Sequence, residues 1–393
     1  MLLGYSFMSS RMVKGFNEYV GAEAAKRAAI RKIIEREFEL YGFESAETPI
    51  IEREDFVAPE GNNDEAVRDV FRLKDRGKRE LALRYEFTFQ LKRLSKNQKL
   101  PFKRFQIGSV FRDERIRAGR TREFTQCDCD VVGSTLKDEA ECLRLNKNIF
   151  EKLGMPVKIY VNNRKLINEI LVDEGVEEKD RDQVIREIDK LDKLSKKDVA
   201  DNLKKIGYEK VLDVFVGKDF EKYKFYSEVK ELKKICKMFG VEVEFRPFLA
   251  RGLSYYNGTV FEVWSEDLGV SLCGGGAYLV DKVQAFGFAL GFEPIYLLSD
   301  IVGDGVEILV LSLDEDEVAV DLVGKLRDDG VRTQLLMDKS LSKGLEYANG
   351  KGVGKVVIVG ADEVKAGKFK VKNMRSGVEE LLLEKEVLTI GDR

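Results

Sequence analysis

No histidine occurs in this sequence of 393 residues. That absence excludes Ser-His-Asp and Cys-His nucleophile machinery, histidine general bases and histidine-ligated metal centres. Any catalysis must rest on carboxylates, guanidinium and ammonium charge, backbone dipoles or an ion brought by a substrate. The five cysteines, at 127, 129, 142, 236 and 273, include no C-x-x-C pair, which argues against a zinc ribbon. Cys127 and Cys129 share one face of a strand and are expected to pack there rather than bridge. The chain lacks any apolar run of about 18 residues, and its N-terminus lacks a full signal-peptide pattern, so it reads as cytoplasmic with no membrane contact. It also lacks charge of one sign in excess: 67 basic against 70 acidic residues leave a net charge of −3. A protein that coats nucleic acid by bulk charge is thereby disfavoured, although a local basic groove is not.

The sequence is 44% hydrophobic, enough for sizeable cores, and at roughly 150 residues per domain its length suggests two or three domains. Apolar residues at helical spacing predict a helix over 20–41, stopped at Gly42. Residues 69–135 are rich in strand patterns, with a helix over about 87–97, which points to α+β rather than doubly wound architecture. Residues 136–240 turn to charged helical text and read as a helical insertion. Strand patterns return at 241–300 and end in an apolar helix, QAFGFALGFEPIYLL. From 303 onward short apolar runs alternate with helical patterns, as in a βαβ unit with a mostly parallel sheet. The division is therefore 1–135 and 241–302 as one α+β domain, 136–240 as the insertion and 303–393 as an α/β domain.

Four stretches carry chemical interest. FRDERIRAGRTREF, residues 111–124, joins two strand-like segments through a loop with Arg112, Arg115, Arg117, Arg120 and Arg122. On a hairpin, Arg112 and Glu114 share a face; an arginine there can hold a phosphate, Glu114 can accept from an amine and Phe124 can stack on a base. A solvated charged loop is the competing reading. LARGLSYYNGTVFEVW places Arg251 before Gly252 and before Tyr255 and Tyr256, which on a strand point to opposite faces so that one lines a pocket. A Tyr-rich strand and turn would look the same. CGGGAY, residues 273–278, marks a close approach by a ligand or another backbone, but it is neither a P-loop nor a dinucleotide fingerprint. LALRYEFT puts Arg84, Glu86 and Thr88 at period two, a polar row that would want a polar ligand.

Taken in order, these segments resemble the class II aminoacyl-tRNA synthetases, and within them the histidyl-tRNA synthetase family. YGFESAETPIIE is similar to the first class motif, FRDERIRAGRTREFTQCDCDVVG to the second, and GFALGFEPI stands where the third belongs. ARGLSYYNGTVFE resembles the family's own RGLDYY stretch. The resemblance implies a catalytic domain on an antiparallel sheet, an anticodon-binding-type C-terminal domain and a homodimer formed through the first motif. It further implies activation of L-histidine by ATP with Mg²⁺, and transfer to tRNA(His). By position, Arg112 would bind the α-phosphate, Glu114 face the adenine, Arg120 reach the outer phosphates and Phe124 stack on the base. Glu86, Thr88, Gln126 and Asp130 would hold the substrate amino acid, Arg251 would stand in for a metal at the α-phosphate, and Tyr255 and Tyr256 would flank the imidazole. Asp130 occupies a place usually held by Glu. Ser254 replaces an acidic residue of the family stretch, Ala277 and Leu279 replace a charged pair expected near the histidine pocket, and Pro294 replaces the arginine that ends the third motif. A non-catalytic relative that senses histidine, or acts as a regulatory subunit, is the alternative these departures keep open.

Overall fold

The computed structural model describes residues 12–58, 69–116, 120–217, 219–251, 255–267 and 269–390. Arg117, Gly252 and Ser254 fall outside the described residues. The strands in chain order are β1 (Glu44–Ser45), β2 (Ile51–Arg53), β3 (Arg72–Lys74), β4 (Glu80–Leu83), β5 (Phe102–Phe111), β6 (Glu123–Val132), β7 (Val157–Asn163) and β8 (Glu244–Phe245). They continue as β9 (Thr259–Ser265), β10 (Ser271–Val280), β11 (Val283–Gly291), β12 (Ile308–Ser312), β13 (Thr333–Leu336), β14 (Lys355–Val359), β15 (Lys368–Asn373) and β16 (Glu379–Leu383).

Contacts divide the chain into two compact units, Met1–Glu18 with Ile30–Ile301 and Tyr19–Ala29 with Val302–Arg393. The first is built on an eight-stranded sheet in the order β1-β5-β6-β11-β10-β9-β7-β8. Its central pairings are all antiparallel, and only the short edge strands β1 and β8 pair parallel. The helix Gly21–Leu40 presents Ile30, Ile34 and Phe38 at four-residue spacing, and all three are fully buried. Phe38 meets Phe105 of β5 and Phe288 of β11. Gly42, at φ +75°, supplies the left-handed turn that stops the helix. Each fully buried ring of this kind contributes about 1.5–3 kcal/mol.

Residues 136–240, read as helical from their charge, also contain β7, which pairs with β9 along its whole length. VKIYVNN alternates as a strand does, but its flanking helical text hides it. The remainder of that stretch is helical, from Arg164–Asp173 to Tyr226–Met238, and its apolar faces join the same core as the sheet. A second difference lies at 283–298. The segment expected as one apolar helix runs as β11 to Gly291 and turns helical only over Phe292–Leu298. Phe286, Phe288 and Leu290 recur at period two and are buried, which a helical reading of so apolar a run overlooks.

The second unit carries a five-stranded sheet, β13-β12-β14-β15-β16. β12 pairs parallel with β13 and β14, as expected of a βαβ unit. β15 and β16 extend it as an antiparallel hairpin, a pair absent from the sequence reading although KFKVKN alternates. The helix Asp316–Asp328 buries Ala319, Leu322, Val323 and Leu326 against this sheet.

Candidate active site

The site grows from one face of the eight-stranded sheet. On β6 the odd positions, Cys127, Cys129 and Val131, enter the core shared with Phe105, while the even positions take the opposite face. That row is Phe124, Gln126, Asp128 and Asp130, and all four line a cavity of about 210 Å³. Opposite Asp128 and Asp130 on β11 stand Ala289 and Gly287, and opposite those on β10 stand Gly274 and Gly276. A Cβ on Gly287 would lie 1.9 Å from an oxygen of Asp130. A Cβ on Gly274 would lie 2.5 Å from Nη1 of Arg251. On Gly276 it would meet the Thr259 carbonyl at 2.4 Å and the Tyr256 ring at 2.9 Å. The glycine run is thus explained by separate neighbours, two of them cavity-lining side chains.

Two guanidiniums and three carboxylates converge on the cavity: Arg112, Arg251, Glu86, Asp128 and Asp130. Arg112 stacks over Tyr85 at 4.3 Å and Phe124 at 5.0 Å, and its Nη2 donates to Oε1 of Gln126 at 3.4 Å. Arg251 adopts φ +58°, a left-handed conformation that costs a non-glycine residue energy and recurs at functional sites. Its Nη1 donates to Glu262 at 2.5 Å, and Glu262 in turn accepts from the Trp264 indole at 2.8 Å. Burial is the largest single influence and would lower the Arg251 guanidinium, but the Glu262 charge and hydrogen bond together with Tyr256 and Tyr255 outweigh it and hold Arg251 above the ordinary arginine range. Glu86 is pushed up by burial against the pull of Arg112. Arg104 of β5 is fully buried; its Nη2 donates to the Phe87 carbonyl and lies 2.8 Å from Asp130. Tyr278 donates its hydroxyl to the same carboxylate.

Of the residues to which the family resemblance gives roles, all but Glu114 and Arg120 line the cavity. Those two pair with each other at 3.0 Å on the hairpin. The expected strand row of Arg84, Glu86 and Thr88 is absent: β4 ends at Leu83, and Thr88 opens the helix Thr88–Leu94. Glu86 and Thr88 still reach the cavity, whereas Arg84 turns away and donates to the carbonyls of Ser109 and Thr48. Tyr255 and Tyr256 precede β9 rather than alternate along it, so both line the cavity, with ring centroids 4.7 Å apart. Of the departures from the family pattern, Asp130 lines the cavity, Ser254 lies outside the described residues, and Ala277, Leu279 and Pro294 do not line it. Ala277 is buried on the far side of β10, Leu279 is exposed, and neither lines the cavity, contrary to the expectation of a place near it. Pro294 sits in the first turn of the helix Phe292–Leu298, where a missing N–H costs little. Its neighbour Glu293 accepts from the Thr125 amide and ties that helix to β6. Sequence reasoning missed Asp128 and Tyr278, although the alternation that placed Gln126 and Asp130 on one face also places Asp128 there.

The model of the family described as histidyl-tRNA synthetase matches residues 15–295, and one described as an anticodon binding domain matches residues 306–390. The chain belongs to the histidyl-tRNA synthetase family. Among its relatives is histidine--tRNA ligase 2 of Shouchella clausii, 32% identical over 94% of this chain and 97% of that one. Histidine--tRNA ligase 1 of Bacillus cereus is 30% identical over 95% and 97%. The crystal structure of a histidyl-tRNA synthetase from Nostoc sp. PCC 7120 is 25% identical, superposes with a TM-score of 0.87 and covers 98% of this chain and 99% of that one. A structure titled as an ATP phosphoribosyltransferase regulatory subunit/histidyl-tRNA synthetase, from Bacillus halodurans, shares the fold at 20% identity and a TM-score of 0.77, covering 91% of this chain and 100% of that one. The α+β catalytic fold on its large sheet, followed by a separate α/β unit, is thus the architecture of histidyl-tRNA synthetases.

In this chain the buried carboxyls link stability to pH. Burial first, then Asp130 and Glu86 nearby, push Asp128 up to about 8 against the opposing Arg104. Burial likewise raises Glu139 to about 7. A carboxyl raised above its unfolded value makes the folded state the better proton binder between roughly pH 4 and pH 8, so stability falls as pH rises through that window. Asp128→Asn is expected to flatten the decline in denaturation midpoint measured from pH 5 to 8.5. Glu139, Asp130 and Glu86, all raised by burial, would sustain the remaining slope. An unchanged slope in the variant would exclude Asp128 as its source.

Proposed function

We propose that the chain activates L-histidine with ATP to give histidyl-adenylate and transfers the histidyl group to tRNA(His), working as a cytoplasmic homodimer. The observation that carries this reading is the convergence of Arg112, Arg251 and Glu86 on one cavity from three separate segments. The residue roles follow the family: Arg112 and Arg251 at the α-phosphate, Glu114 toward adenine, Arg120 at the outer phosphates and Phe124 against the base. Glu86, Thr88 and Gln126 hold the substrate's amino group, Asp130 supports them, and Tyr255 and Tyr256 flank the ring. In this scheme the catalytic domain comprises 1–135 and 241–302, the insertion 136–240 and the anticodon-binding-type domain 303–393.

The chemistry asks little of protein nucleophiles. A histidine carboxylate oxygen attacks the α-phosphorus, the O–P bond forms, and the bond to pyrophosphate breaks; fixed guanidinium charge and in-line placement lower the barrier. Mg²⁺ arrives with ATP as part of the substrate. Among the described residues no group of three or more acidic or cysteine side chains is arranged to hold a metal. The terminal ribose hydroxyl of the tRNA then takes the histidyl group and releases AMP. Leu40, Ile50 and Ile51 expose apolar surface at and beside the segment resembling the first class motif, which supports the homodimer. Among the described residues no helix is long and apolar enough to cross a membrane.

Pro294, standing where the family has an arginine, supports a second reading as a histidine sensor without catalysis. The match of residues 306–390 to the anticodon-binding model favours the synthetase. Pyrophosphate exchange with each of the twenty amino acids separates the two. Exchange with histidine alone is expected; no exchange, with histidine still bound in calorimetry, would establish the sensor.

Gly274→Ala tests the placement of Arg251 without removing it. The added methyl lies 2.5 Å from Nη1 and 2.7 Å from Cζ, and the flexible guanidinium must shift. Exchange is expected to slow by about tenfold to a hundredfold with little change in KM for histidine, since small misplacements of a positioned group cost that much. A wild-type rate would show that Arg251 need not occupy this place.

A further inference from the structure

Arg251 is held from two sides. Glu262 fixes its guanidinium, while its backbone stands at φ +58°, where a residue other than glycine needs outside support. That support comes from the stretch read in the sequence as a helical insertion. Residues 246–250, which deliver Arg251, are tied along their length. The Arg246 amide donates to the Val161 carbonyl of β7 at 3.0 Å, and its guanidinium stacks over Tyr160 at 3.3 Å. Asn162, 1% exposed, donates its side-chain amide to the carbonyls of Pro247 at 2.6 Å and Leu249 at 3.0 Å. The Ala250 amide donates to Oδ1 of Asp189 at 3.1 Å. The rigid peptide plane between Leu249 and Ala250 is thus pinned at its carbonyl by Asn162 and at its N–H by Asp189. Asp189 opens the helical turn Asp189–Asp192, which continues the helix Glu178–Ile188. Val184, Ile185 and Ile188 of that helix are buried in the core shared with the sheet, so the carboxyl is carried on a packed element. Burial pushes this carboxyl up; Glu262 and Asp192 add to the rise, while the Ala250 amide and Arg251 oppose it. A carboxyl oxygen accepts from an amide with or without its charge.

We infer that Asp189 is a positioning residue for the activation step: by pinning the peptide plane before Arg251 it keeps that strained backbone, and hence the guanidinium, aimed into the cavity. The inference rests on the reading of the cavity as the site of histidine activation. It gives the helical stretch 178–192 a part in the reaction although none of its side chains lines the cavity. Between the pinned plane and the Arg251 backbone stand only the two dihedrals of Ala250, so slack at Asp189 passes directly to Arg251. Glu262 holds the far end of the side chain but does not fix the φ of the residue that bears it.

The test is histidine-dependent pyrophosphate exchange on the full chain. Asp189→Ala is expected to lower kcat about tenfold to thirtyfold with KM for histidine changed by less than about threefold, the cost of a small misplacement of a positioned group. Asp189→Asn, whose amide oxygen accepts from the same N–H without charge, is expected to recover kcat to within about threefold of wild type. In an Arg251→Ala background, Asp189→Ala is expected to cost less than about twofold more, because the residue acts through Arg251. Equal losses in the two backgrounds overturn the inference. So does an Asp189→Asn variant as slow as Asp189→Ala, which would assign the effect to charge. A rise in KM that matches the fall in kcat also overturns it and makes Asp189 a structural residue. Trp264, the chain's single tryptophan, donates to Glu262 and so reports on the Arg251 pair without catalysis. Its emission is expected to shift in Asp189→Ala and to return in Asp189→Asn. A wild-type chain without exchange, whose emission still shifts in Asp189→Ala, ends the functional reading and the role of Asp189 in the reaction with it. An exchanging chain in which neither rate nor emission moves ends the inference alone.

Discussion

Replacing Arg251 by alanine is expected to lower histidine-dependent pyrophosphate exchange about a thousandfold, roughly 4 kcal/mol, while histidine affinity changes by less than about threefold. Only Arg112 and Arg251 bring positive charge among the lining residues, and Pro294 supplies none where the family has an arginine. On the proposed roles, the charge that develops on the α-phosphoryl group would fall to two guanidiniums, one of them already held in place. Glu262, fixed by Trp264, restrains Arg251 before any ligand arrives, so little reorganisation accompanies the reaction. Steady-state exchange with calorimetry on the same variant separates the outcomes. Equal loss of binding and rate would mean that Arg251 serves the ground state, and its placement at the α-phosphate would be abandoned.

Arg104→Met is expected to destabilise the fold by about 3–5 kcal/mol, the usual result of stranding one member of a buried ion pair. Arg104 has no exposed surface, and Asp130 lies almost as deep. Removing the guanidinium leaves a carboxylate beside Glu86 and Asp128 with only Tyr278 to satisfy it. The double variant Arg104→Met with Asp130→Asn should recover part of the loss, since no charge then remains unpaired. Urea denaturation of both chains measures the coupling. A single variant within about 1 kcal/mol of wild type would show that the pair is not the electrostatic anchor of this sheet face.

Much of this was readable locally. Ile30, Ile34 and Phe38 announce their helix by spacing, and the alternation from Phe124 to Asp130 announces both the strand and its polar face. The C-terminal βαβ rhythm was equally plain. What escaped reading depends on partners far along the chain. FKRFQIG gives no sign that Arg104 is buried, because its counter-charge lies on β6 and the tyrosine sharing that charge lies on β10. Gly274, Gly275 and Gly276 signal closeness without saying to what. The run from Val283 to Leu298 is apolar enough for helix or strand, and only its position between β6 and β10 decides. Arg84, Glu86 and Thr88 share a spacing but not an element, because the backbone ties of Arg84 hold it beside Ser109 and Thr48 instead.

The five cysteines are all free and buried, and all lie in the unit that carries the eight-stranded sheet. Alkylation under native conditions is therefore a clock for openings of that unit alone, and the C-terminal unit contributes no background. Cys127 and Cys129 back the same strand whose other face lines the cavity, so their labelling times the loosening of the cavity floor, while Cys236 reports on the helix Tyr226–Met238. Slower labelling of the first pair when histidine is added, with Cys236 unchanged, would map ligand stabilisation onto a single strand.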